Sequence, residues 1–190
     1  SSLVGPKGRV YSFEPFPEIS EKLRKNVESN KINNIEILNY AVSNKTGKLK
    51  FSNSNDLSGN TYITSSPLYE NPDKSIIEVS SVHLDRLLEN DCIKPPQLIK
   101  IVVEGAEHDT LIGSEMLISQ YKPIIIISTH DFHKEGISAK CLNTLSEWGY
   151  NTNRFHVNTT VSNNNNNINI NNINNTNKSP KKIIPGKTLS

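Results

Sequence analysis

Cysteine, methionine and tryptophan are nearly missing from this chain: two, one and one among 190 residues. The two thiols, Cys92 and Cys141, are isolated and lack the close spacing of a zinc site or a disulfide framework. A covalently stapled scaffold is thereby excluded, and a reducing, cytoplasmic setting is expected. Charge of one sign is lacking too. A formal net charge of +2, with no basic stripe, leaves no electrostatic footprint for nucleic acid. No run is long and apolar enough to cross a membrane, and the opening residues do not read as a secretory leader. Neither nucleic acid nor membrane is expected as a partner. Walker-type phosphate loops and Gly-x-Ser-x-Gly elbows are also missing, so phosphate-cradling and serine-nucleophile chemistry have no motif to rest on.

The apolar residues that are present lie mostly before residue 150. From about Asn151 onward asparagine takes over, unbroken from Asn163 to Asn167, and the isoleucines between are too sparse to build a core. Residues 151–190 therefore read as a disordered, low-complexity tail, and the small basic cluster from Lys178 to Lys182 as its solvated end. Residues 1–150 carry the pattern of a folded domain.

That pattern alternates strands and helices. Gly5-Pro-Lys-Gly8 is a turn, and Arg9 to Phe13 a short buried strand ended by Glu14-Pro15. Pro17 suits a first helical turn, with Ile19, Leu23 and Val27 on one face and Asn30 as the cap. Ile35 to Tyr40 is the next strand. Lys48 to Ser52 alternates like a half-exposed strand, and Ile76 to Val79 is placed to pair with it antiparallel. Asn53 to Asn71 is a polar loop, and His83 to Asn90 a short helix. Leu98 to Val103 reads as a buried parallel strand delivering Glu104 to its carboxyl end. A single helix then runs to Pro123, followed by a second fully buried strand, Ile124 to Ile127, and a helix from Ser138 to Trp148 closed by Gly149. The order predicts an α/β fold, a doubly wound, mostly parallel sheet.

Ligands of such sheets bind outside the carboxyl ends of the strands. Three positions there carry chemistry. Glu14 ends the first strand, where an acid accepts hydrogen bonds from ribose hydroxyls. Glu104 precedes the turn into a helix, where a reacting group would be placed. Glu107 and Asp109, in the first turn itself, are accounted for by the helix dipole. His130 ends the Ile124 strand and suits a general base. His130 and His133 invite a metal, but one loop supplies too few ligands in fixed geometry, so no metal is expected.

Several ordered blocks resemble the FkbM-type S-adenosylmethionine-dependent methyltransferases, class I Rossmann-like enzymes that mostly O-methylate sugars and related hydroxyl-bearing metabolites. The blocks are Gly8-Arg-Val-Tyr-Ser-Phe-Glu-Pro15, Ala41-Val-Ser43, Leu84-Asp-Arg-Leu-Leu88, and above all Ile99-Lys-Ile-Val-Val-Glu-Gly-Ala-Glu107. Ser128-Thr-His130 with Gly149-Tyr150 resembles one branch of the family, and the likeness spans about Gly5 to Tyr150. The resemblance implies S-adenosylmethionine as cofactor and a small-molecule or glycan acceptor. Glu14 would hold the ribose hydroxyls, and the backbone at Ala41 would border the adenine. Val102, where the family has Asp, would lie beside cofactor and substrate. Glu104 would line the substrate side, with Glu104 or His130 taking the hydroxyl proton. The resemblance also implies an N-terminally truncated domain without the family's first strand and Gly-rich turn. On that reading the strands ending at Glu14 and Glu104 would expose unpaired edges, and these residues alone would be unstable and inactive. A non-catalytic remnant or binding module of the same fold is the alternative, motivated by Val102.

Overall fold

The computed structural model describes residues 2–53, 61–62, 75–129, 131 and 135–153. The expected disordered tail from residue 154, most of the Asn53 to Asn71 loop, and His130 and His133 lie outside them. After a 3₁₀ turn at Ser2–Val4 the elements run β1 (Val10–Phe13), α1 (Pro17–Ser29), β2 (Ile35–Leu38), β3 (Ala41–Val42), β4 (Gly47–Asn53), β5 (Thr61–Tyr62) and β6 (Ser75–Val82). They continue with α2 (Leu84–Glu89), β7 (Leu98–Ile101), α3 (Glu107–Ile112), α4 (Glu115–Tyr121), β8 (Ile124–Ile127) and α5 (Ile137–Glu147).

The first unit is β1–α1–β2. Its strands are parallel, with Val10 opposite Ile35 and Phe13 opposite Leu38, and the Glu14 N–H extends the ladder to the Leu38 carbonyl at 3.1 Å. Pro17 occupies the first turn of α1, where a missing N–H costs nothing. The expected apolar stripe of α1 is only half-buried; the residue that is buried is Ser20, whose hydroxyl accepts from the Asn39 amide, itself bonded to Arg24. Asn30 caps the helix end as expected, returning its backbone N–H to the Asn26 carbonyl.

The second sheet has the order β3-β6-β4-β5. β4 and β6 are antiparallel with Leu49 opposite Val79, the pairing foreseen from their alternation. β3 joins the same sheet by parallel pairing of Ala41 and Val42 with Ser81 and Val82, which two residues of sequence could not announce. Ala41, Leu49, Phe51 and Val79 form its core, and Phe16 meets Phe51 edge-on at 5.3 Å between ring centroids.

The third sheet pairs β7 and β8 in parallel, Leu98 opposite Ile124 and Ile101 opposite Ile127. Both strands were expected to be buried on both faces, and they are not. Ile99, Ile101, Ile125 and Ile127 pack against Leu111, Leu117, Ile118, Ile137, Cys141 and Leu145. The opposite face leaves Leu98, Ile124 and Ile126 exposed at 51%, 66% and 52%. Helices α3, α4 and α5 supply one covering layer, and strand alternation turns the other isoleucines away from it. The doubly wound sheet is divided, and β1 and β7 do not pair with each other, in line with the unpaired edges expected of them. Among the described residues β1 hydrogen-bonds only to β2 and β7 only to β8, so the parallel pairs stand as separate sheets.

The single helix expected after Gly105 is two. Gly113 ends α3, and a β-carbon there would sit 2.1 Å from the Ser43 carbonyl oxygen. The Gly113 carbonyl instead accepts the Leu84 N–H at 2.8 Å. The Asp85 carboxylate then accepts the Met116 and Leu117 N–H groups, each at 2.9 Å, and so caps α4. The Leu84-Asp85 block thus earns its place by starting a helix thirty residues downstream in sequence, joined to it by two bonds of that span.

Candidate active site

Between β1 and β7 lies a cleft of about 1330 Å³. It is walled by Val10 to Glu14 on one side and by Leu98 to Glu104 on the other, with Ala41 and Val42 contributing. Four of the five site residues expected from sequence, Glu14, Ala41, Val102 and Glu104, therefore share one cavity. The fifth, His130, falls outside the described residues.

Glu14 follows β1 directly. Its Oε1 accepts the Phe16 N–H at 2.9 Å, a local turn that Pro15 between them favours. Burial raises the Glu14 pKa above its ordinary value of 4.5, and the Phe16 N–H opposes this only in part. A carboxylate has room for about four hydrogen bonds, so this half-buried group retains capacity for hydroxyl donors. Ala41 is buried at the start of β3, and its small side chain keeps the backbone close to the cavity. Val102 lines the same space at 42% exposure, just past the end of β7.

Glu104 and Gly105 reverse the chain between β7 and α3, with φ of 47° and 98°. A left-handed conformation costs a residue with a β-carbon about 1–2 kcal/mol, so Glu104 needs support that Gly105 does not. The Ala106 N–H bonds to the Val103 carbonyl at 3.2 Å, and the Gly105 N–H donates to Glu107 Oε2 at 3.0 Å. Behind the turn, the Thr110 hydroxyl donates to the Val42 carbonyl at 3.0 Å, and the Asn44 amide approaches Asp109 Oδ1 at 3.4 Å. These bonds hold the end of β3 against the first turn of α3, bringing Ala41 and Glu104 to one rim.

One acid departs from its sequence reading. Glu107 was assigned to the helix dipole, yet it is wholly buried and bonded to the Gly105 amide. Asp131 accepts the Ser138 N–H at 2.8 Å and so serves the start of α5. Among the described residues no group of three or more His, Cys, Asp or Glu side chains is placed to hold a metal ion. No described helix is long and apolar enough to cross a membrane.

Comparison with known proteins bears on the fold and the family. The family profile of the methyltransferase FkbM domain matches residues 1–152. Among solved structures, the methyltransferase FkbM from Methylobacillus flagellatus KT superposes with a TM-score of 0.50 at 20% identity. That superposition covers 73% of this chain and 30% of the neighbour, so the chain spans less than a third of that protein's length, and the likeness is one of fold. No curated protein matches. On the extent of the profile match, the chain belongs to the methyltransferase FkbM domain family.

Proposed function

We propose that the cleft binds S-adenosylmethionine and that the protein methylates a hydroxyl of a sugar or another hydroxyl-bearing metabolite. The observation that carries this reading is the meeting of Glu14, Ala41, Val102 and Glu104 in one cavity at the carboxyl ends of β1 and β7. When bound, the cofactor supplies a methyl group on a sulfonium, already activated for attack by an oxygen.

The chain's own residues divide the remaining work. Glu14, pre-oriented by the Phe16 N–H, accepts hydrogen bonds from two ribose hydroxyls, and its desolvation makes those bonds stronger than they would be in water. Its raised pKa supports this fit, because the Phe16 N–H alone does not offset the burial of the carboxylate. The backbone at Ala41 borders the adenine. Glu104 lies on the acceptor side and takes the hydroxyl proton, with His130 the other candidate base. The remaining contribution is alignment of acceptor and methyl group, the effect on which such transfers chiefly depend.

Calorimetric titration of the full-length protein with S-adenosylmethionine tests the cofactor assignment. Saturable binding is expected, with Glu14→Ala weakening it about tenfold or more through loss of charge-assisted bonds. Absence of binding by the unaltered protein would sink the reading. Val102 supports a second one, a cofactor-binding module that transfers nothing, because an apolar side chain stands where the family has a carboxylate. Labelled methyl transfer to a mixed glycan pool separates the two. Transfer by the unaltered protein favours the enzyme; binding without transfer, with activity appearing in Val102→Asp, favours the module.

A further inference from the structure

Among the described residues Glu107 is the one charged side chain that is fully buried. An acid in a first helical turn needs no burial to complement the dipole, and burying a carboxylate is unfavourable unless specific bonds hold it. One such bond goes to the Gly105 N–H, at 3.0 Å. That N–H belongs to the peptide joining Glu104 to Gly105, whose tilt fixes where the Glu104 side chain leaves the backbone. Both residues have positive φ, and Gly105 is itself buried, so the peptide has no water to turn to if the carboxylate is removed.

We infer that Glu107 is a positioning residue: its buried carboxylate pins the Glu104–Gly105 peptide and thereby holds Glu104 at the cleft. The structural half of this inference stands alone, whereas its consequence for turnover rests on the methyl-transfer reading above. Glu107 does not line the cleft, so it acts through Glu104, which does.

Glu107→Leu fills the space without an acceptor, and Glu107→Gln restores a carbonyl oxygen at the same reach. Amide exchange, followed by NMR on the full-length protein well below its melting temperature, reads the peptide directly. In Glu107→Leu the Gly105 amide should exchange about tenfold faster or more, while the Thr110 amide, bonded to the Ala106 carbonyl, stays protected. In Glu107→Gln the Gly105 amide should remain within about threefold of its original rate. Turnover is read as labelled methyl transfer from S-adenosylmethionine to a mixed glycan pool. It should fall about a hundredfold in Glu107→Leu with cofactor affinity nearly unchanged, and recover substantially in Glu107→Gln. Unchanged Gly105 exchange in Glu107→Leu overturns the inference. So does a loss of turnover that merely tracks the folded fraction and is not rescued by Gln. If the unaltered protein binds no S-adenosylmethionine, the proposed function fails, and Gly105 exchange still decides the role of Glu107.

Discussion

At the scale of single residues, Glu14 sets the role proposed for it against stability. Its pKa is raised in the folded protein by burial, so between the ordinary value of 4.5 and the raised one the folded state holds a proton that the unfolded state has released. Stability contributed by this group is thus present at low pH and lost as pH rises through the folded value. At neutral pH the full penalty of the half-buried charge is in place. Glu14→Gln keeps the oxygen that accepts the Phe16 N–H and removes the charge. It should therefore raise the melting temperature at about pH 7 and leave it unchanged at about pH 4, while weakening S-adenosylmethionine binding. Calorimetric scans of both proteins at the two pH values measure the first effect. A melting temperature lowered at neutral pH would mean that the carboxylate is stabilised by partners its burial does not suggest. The position of Glu14 was legible in sequence because a strand followed by Glu-Pro can end in only a few ways. The burial of Glu107 was not. A helix-start acid looks the same in sequence whether it faces water or turns inward onto a glycine amide.

At the scale of elements, the strands of four residues or more declared themselves by alternation or by β-branched runs, whereas the two-residue strands β3 and β5 did not. The partition of the helix after Gly105 was not legible either, because it depends on a contact between residues far apart. Ser43 approaches Gly113 too closely for any side chain, and Asp85 supplies the acceptors that a new helix start at Ser114 requires. Local periodicity across Leu111 to Ile118 is compatible with one helix or two. The cap makes a direct prediction. Asp85→Ala removes both acceptors and should cost about 1–2 kcal/mol in denaturant unfolding, with Asp85→Asn recovering part through its single carbonyl oxygen. Equal stability of all three proteins would show that α4 holds its start by packing of Leu117 and Ile118 alone. Gly113→Ala should be the more damaging change, since the obstruction is backbone and not a movable side chain.

At the scale of the whole molecule, the division of the sheet and the one-sided burial of β7 and β8 belong to the same geometry. β1 and β7 line the cleft without pairing across it, and Leu98, Ile124 and Ile126 present an apolar surface on the side that α3, α4 and α5 do not cover. Isoleucine runs identify strands, but they cannot say whether one face or two will be covered, because that depends on the number of layers the chain builds. Unpaired strand edges beside an apolar face favour self-association. The two faces of β7 and β8 should therefore respond oppositely to substitution. Ile126→Thr with Ile124→Lys removes exposed apolar surface and should lower concentration-dependent light scattering with little change in melting temperature. Ile101→Ala, on the covered face at 2% exposure, should cost about 2–5 kcal/mol and increase scattering by populating unfolded chains. The decisive comparison is the paired Ile124 and Ile126 substitution. If it destabilises the protein as much as Ile101→Ala does, the face is covered in solution and the self-association argued from it does not hold.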